Sequence, residues 1–319
     1  MDMNPTEQST PDQNGQPGQQ ETVPPGRRRG IIISAVALVL VLVILAAGLY
    51  VWHGKDQADR DAQATVSGET VAKGPTGSKT AYKELQEVKV KPSVADKEGG
   101  LTISAGGINT KAPNAPSVHV FVDPMCPWCG KVGRVIDPEL EKMVKAGQVT
   151  VTYTFLNFLD KVSSDQYSTR VGNALATVAE QDPDHFLDFE AAVFEEGFQP
   201  DEENYQPVSD QDLANQAVKV GVPESVAAQF AEGRYQDWVQ KVNDYTITRT
   251  DVEDAKGEFT TPTIMINGRL WDISGAGKAS GGLQHLDKAL LKSLGIDDDK
   301  VGMQGVMPSI GSKEKALPF

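Results

Sequence analysis

Val118-His119-Val120-Phe121-Val122-Asp123-Pro124-Met125-Cys126-Pro127-Trp128-Cys129 is the stretch on which the fold turns. Its first five residues are β-branched or aromatic with one polar member, the pattern of a strand buried on both faces. A helix start follows. With Cys126 at the N-cap, Pro127 takes the first helical position, where its missing N–H is no loss and its φ is already helical. The helix is predicted to reach about Ile136. There Asp137-Pro138 interrupts it, because proline disfavours α geometry in the residue before it. The same pair can reopen a helix as cap and first turn, continuing to Lys145. Val149–Phe155 then alternates at period two and reads as a second strand. Strand, helix, strand is a βαβ unit with parallel strands and a right-handed crossover.

The chain of 319 residues holds two cysteines, both in Cys126-Pro127-Trp128-Cys129. Three readings compete. A zinc site needs four ligands, and His53, His119, His185 and His285 are scattered without ligand spacing, so zinc would require a second chain. A structural disulfide would close a loop of two intervening residues and constrain almost nothing. Redox chemistry is the reading that the helix start favours. The N–H groups of Trp128 and Cys129 point at the Cys126 sulfur, and the positive end of the helix dipole adds to them. The Cys126 thiolate is thereby stabilised, while Cys129, one turn inside, is shielded and serves as resolving partner. No metal ligand set and no cofactor motif is read.

Working outward, Leu101–Ser104 is a short strand candidate and Asn109–Pro116 a turn-rich approach. Residues 165–256 read as helical. Asp184–Phe194 places Phe186, Phe189, Ala192 and Val193 on one face, and Ser209 caps Leu213–Val220. Pro223-Glu224 opens a short helix, and Tyr235–Asp254 a longer one with Trp238, Val242 and Tyr245 inward. Thr263–Ile266 and Leu270–Ile273 flank Asn267-Gly268, a signal for a hairpin with a type I′ turn. Gln284–Leu294 is a last helix.

The N-terminal quarter differs in kind. Residues 1–30 are rich in Gln, Pro, Gly and Thr and read as a disordered segment. Ile31–Trp52 carries no charge over 22 positions, and a helix of that length spans roughly 30 Å, enough for a bilayer core. Arg27-Arg28-Arg29 precedes it, so the positive-inside rule puts the N-terminus in the cytoplasm and the rest outside. A cleaved signal peptide is the competing reading, with Ala46-Ala47-Gly48 a weak exit. Residues 53–83 read as a flexible linker, 84–295 as the folded domain, and 296–319 as an exposed tail. The formal net charge of −14 leaves no concentrated cationic surface apart from those three arginines, which argues against nucleic-acid binding.

In order along the chain, Asp123-Pro124-Met125-Cys126-Pro127-Trp128-Cys129, Thr261-Pro262-Thr263 and the hairpin at Ile264–Gly268 resemble the DsbA-like thiol–disulfide oxidoreductases. The resemblance covers roughly residues 100–295. It implies an α/β thioredoxin-like fold with a helical insertion at about 163–256, here preceded by one transmembrane helix. It also implies a cell-membrane protein, single-pass, that introduces disulfides into reduced or unfolded exported proteins. A quinone-linked membrane partner of the DsbB or VKOR-like type would reoxidise it. Cys126 and Cys129 would be the catalytic pair, with Pro127, Trp128, Thr261 and Pro262 shaping the motif and contacting substrate. Thr261-Pro262 would be the cis-proline element; an ordinary proline at a strand entry is its other reading. Two alternatives share the fold: a reductase or isomerase, for instance in cytochrome maturation, and a redox-inert tethered chaperone. His119 and Asp123 are left outside the site. Thioredoxin-like proteins often place a buried acid six residues before the first cysteine; here that position is Val120, so proton handling for Cys129 needs water or another group.

Overall fold

The apolar run before the cysteine pair becomes the middle of a six-stranded sheet. In the computed structural model, which describes residues 76–319, the strands are β1 (Leu101–Ser104), β2 (Gly107–Ile108), β3 (Ser117–Val122), β4 (Thr150–Phe155), β5 (Thr263–Ile266) and β6 (Arg269–Leu270). Their order is β2-β1-β4-β3-β5-β6. Only β3 and β4 run parallel, with Val118 opposite Val151 and Val122 opposite Phe155; the remaining pairs are antiparallel. Both edge strands are two residues long, which leaves little free edge for another chain to pair with.

Asn267 and Gly268 both have positive φ, 49° and 72°, as the type I′ hairpin requires. The returning strand is shorter than its predicted Leu270–Ile273. Asp272 instead accepts a hydrogen bond from the Gly275 amide and caps a helix at Ile273–Ser280 that the sequence reading did not include.

Helices α1 (Lys79–Glu87), α2 (Pro127–Lys145), α3 (Tyr167–Gln181), α4 (Phe186–Val193), α5 (Asp210–Lys219), α6 (Glu224–Ala227), α7 (Gln236–Thr246), α8 (Ile273–Ser280) and α9 (Leu286–Leu294) complete the regular structure. The predicted break at Asp137-Pro138 does not occur: α2 runs through Pro138 as one helix of 19 residues. Pro138 removes one intrahelical donor, but Val132, Ile136, Leu140 and Met143 lie buried along one face. That continuous apolar stripe outweighs a local preference. Helix α7 stops at Thr246, short of the predicted 254. The Thr248 hydroxyl bonds the Tyr245 carbonyl, and such side-chain bonds compete with helix continuation. In α5, Ser209 and Asp212 form a reciprocal capping box.

Helices α3 to α7 lie between β4 and β5, so the insertion is present. It is not a separate body. One apolar core runs from the sheet through α2 into α3, α4 and α7, and Phe186 of α4 meets Tyr153 and Phe155 edge-on. A smaller cluster of Phe121, Val252 and Met265 lies apart from it.

Both predicted domain ends move outward. Helix α1 begins at Lys79, inside the stretch read as linker to residue 83, with Leu85 buried. The tail is also packed rather than loose. Gln148 donates to the carbonyls of Lys300, Met303 and Val306, Ile310 is buried, and Phe319 meets Trp271 edge-on. The segment 1–30, the anchor Ile31–Trp52 and most of the linker lie outside the described residues. Among the described residues no helix is long and apolar enough to cross a membrane.

Candidate active site

Cys126 is the N-cap of α2 with extended backbone, φ −70° and ψ 117°, and Pro127 follows at the first helical position. The amides of Cys129 and Gly130 bond back to the Cys126 carbonyl at 3.0 and 3.3 Å. Both cysteines are free thiols. Cys126 retains 7% exposure and Cys129 1%, so an incoming group meets Cys126 first.

The two thiols are pulled in opposite directions. A hydrogen bond from the Cys129 thiol lowers Cys126 to about 6, helped by Thr261 and by the backbone N–H groups of Cys129 and Trp128, against an opposing push from burial. Burial drives Cys129 well above the ordinary thiol value, and its neighbour Cys126 adds to the rise. Surroundings that favour the thiolate at one sulfur and the thiol at the other suit a nucleophile or leaving group beside a resolving partner.

Thr261-Pro262 is a cis peptide, and the Thr261 carbonyl accepts a hydrogen bond from Cys126 Sγ at 3.4 Å. The predicted residues are thus brought together: Cys126, Cys129 and Thr261 within bonding reach, and Pro262 beside Cys129 on the wall of one small cavity. Trp128 is 58% exposed, with Lys131 Nζ 4.7 Å above its ring. Among the described residues no group of three or more His, Cys, Asp or Glu side chains could hold a metal ion.

Three residues outside the predicted set hold the loop. Asp123 is fully buried. Its carboxyl accepts from the Met125 and Leu159 amides, both at 3.0 Å, and from the Ser168 hydroxyl; burial raises it to about 7. Gln199, in the insertion, donates from Nε2 to the Pro124 and Cys126 carbonyls, both at 2.9 Å. Gly130 leaves room for that amide, since a Cβ there would sit 2.1 Å from Gln199 Oε1. Sequence gave no signal for Gln199, which lies 73 residues from the carbonyl it grips. His119 in β3 is half-buried, bonds Thr154, and desolvation of its ring lowers it to about 3. Val120 is apolar and buried, so the sheet offers Cys129 no acid at that position.

A parallel pair at the sheet centre, a helix opened by Cys-Pro-Trp-Cys and a cis-proline against the first sulfur define a thioredoxin-type redox site. The family model for thioredoxin matches residues 106–279, and the chain belongs to that family. Serine/threonine-protein kinase PknE of Mycobacterium tuberculosis is 36% identical over 124 residues, which cover 38% of this chain and 22% of the kinase. Among solved structures, reduced DsbA of Mycobacterium tuberculosis is 24% identical, covering 60% of this chain and 96% of that one at a TM-score of 0.45. MdbA of Actinomyces oris, a thiol-disulfide oxidoreductase, is 20% identical over 60% of this chain and 88% of its own, at 0.48.

Proposed function

We propose that the chain is a membrane-anchored thiol–disulfide oxidoreductase that introduces disulfides into exported proteins. The observation that carries this reading is the contrast between the two sulfurs. Cys126 is the more accessible of the two, with its thiol lowered to about 6, and Cys129 is buried with its thiol raised well above the ordinary value.

In the disulfide form, a substrate thiolate attacks Cys126 Sγ. The Cys126–Cys129 bond breaks, a mixed disulfide forms, and the electron pair leaves on Cys129, which takes up a proton. A second substrate thiolate then attacks the substrate sulfur of the mixed disulfide. Cys126 departs as the thiolate that its surroundings already favour, and a low leaving-group pKa speeds that departure. Stabilising the Cys126 thiolate stabilises the reduced enzyme, which makes the disulfide form the stronger oxidant. The exposed Trp128 face and the Thr261 backbone suit an extended, unfolded client. Ile31–Trp52 would tether this domain outside the cytoplasm, and a quinone-linked membrane partner of the DsbB or VKOR-like type would restore the disulfide.

The test is disulfide formation in a reduced, unfolded client protein by the oxidised full-length chain, alongside its reduction potential. Client oxidation that Cys126→Ser abolishes is expected, with a potential well above the roughly −270 mV of thioredoxin. A potential at that value without client oxidation would transfer the site to a reductase. Protease accessibility of the domain in intact cells, removed by deleting residues 31–52, tests the tether.

A further inference from the structure

Beside Cys129 lies a small cavity of about 10 Å³ whose wall includes Gly133, Asp137, Tyr153, Glu190 and Pro262. That is about the space that one water needs. Two carboxyl groups in such a place are unusual, because buried acids are normally paired with a cation or fully hydrogen-bonded. Here neither has an ion-pair partner among the described residues. Asp137 Oδ1 accepts from the Tyr153 hydroxyl at 3.0 Å. Glu190 is 1% exposed, and its Oε2 has no hydrogen-bond partner among the described residues.

The helix aims Asp137 at the sulfur. Cys129, Gly133 and Asp137 are spaced by four, so they share one face of α2, and helical side chains lean toward the N-terminus. A Cβ at Gly133 would lie 2.5 Å from Asp137 Oδ2, so the missing side chain opens a corridor along the helix. Asp137 and Cys129 line the same cavity, whose volume is about that of one water.

We propose that Asp137 exchanges a proton with Cys129 through a water in this cavity, whose wall both side chains share with Glu190. This rests on the oxidoreductase reading of Cys126 and Cys129. When the Cys126–Cys129 bond breaks, the pair of electrons on Cys129 takes a proton from the water, and the water is replenished by Asp137, which becomes the carboxylate. In reoxidation the proton returns by the same route, and the Cys129 thiolate is free to attack a mixed disulfide at Cys126. Burial lifts Asp137 to about 7, against the hydrogen bond from Tyr153. Burial and the Asp137 charge hold Glu190 further up. Tyr153, the remaining titratable wall residue, is raised well above its ordinary value by burial and by the neighbouring acids, and stays neutral. Asp137 is therefore a positioning residue, holding a proton next to a sulfur that it does not touch.

The test separates the two chemical steps in the reduced full-length chain treated with oxidised glutathione, using acid quench and mass analysis. Formation of the glutathione adduct at Cys126 reports the first step, and its loss to the internal disulfide reports Cys129. In the native chain the second step is expected to rise with pH through an inflection near 7. In Asp137→Asn that inflection disappears and the step slows about a hundredfold or more at neutral pH, within the range for general acid–base assistance. Tyr153→Phe, which removes a bond that lowers Asp137, moves the inflection upward. An Asp137→Asn chain with a native second-step rate and profile would overturn the proposal. Should that variant not fold, a native profile without an inflection near 7, or one that Tyr153→Phe leaves in place, overturns it instead. Failure of the first step in the native chain would defeat the oxidoreductase reading itself, a separate outcome.

Discussion

At the scale of single residues, the site is a contest over two protons. Thiolate absorbance of the reduced chain is expected to titrate with a midpoint of about 6 for Cys126. In Cys129→Ala the midpoint should move up toward the ordinary thiol value, because the largest stabilising bond is gone. An unmoved midpoint would assign the effect to the helix start alone. Gln199→Ala removes two partly buried hydrogen bonds to the loop and is expected to cost about 1–3 kcal/mol in urea unfolding, at about 1 kcal/mol per bond. Cys126, Pro127 and Trp128 were legible in sequence because a helix start is a local event. Asp137, Gln199 and Glu190 were not, since each acquires its role from a group on another element.

Single elements show where local rules hold and where packing overrides them. The Ser209 cap was readable from its spacing, and the box it forms with Asp212 is present. Ser209→Ala should lower stability by about 1 kcal/mol, read as a shift in urea midpoint without change of slope. The hairpin at Asn267-Gly268 was likewise readable, because positive φ at both positions is a demand that few residues meet. Helix α2 was misjudged at Pro138. The local penalty was weighed there without the stripe from Val132 to Met143 that anchors the helix on both sides of it. Helix α8 was missed because its sequence, Ile273-Ser274-Gly275-Ala276-Gly277, is weakly helical. The Asp272 cap sets its start.

For the whole molecule, buried acids set the response to pH. Asp123 and Asp137 are raised by burial from 3.8 to about 7, so the folded chain holds these protons more tightly than the unfolded one. Their contribution is intact below about pH 4 and is lost as pH rises through about 7. Urea midpoints should therefore fall across that interval, and Asp137→Asn should flatten the slope. An unchanged slope would mean that Asp137 is ionised in the fold. The α/β order and the place of the insertion were legible in sequence as a succession of periodicities. The ends were not. The tail is held by Gln148 and Asn267 gripping backbone carbonyls, contacts that leave no periodic trace.

Asn267 carries a further consequence. An asparagine followed by glycine ages by losing ammonia, when the next amide nitrogen closes on the side-chain carbon. Here Oδ1 accepts from the Ser117 amide at 2.8 Å, and Nδ2 donates to Gly311 and Glu314 at 2.7 and 2.9 Å. Those tethers hold the side chain away from ring closure. An acidic isoform at this position on an isoelectric gel would then serve as a clock for time that the molecule has spent unfolded.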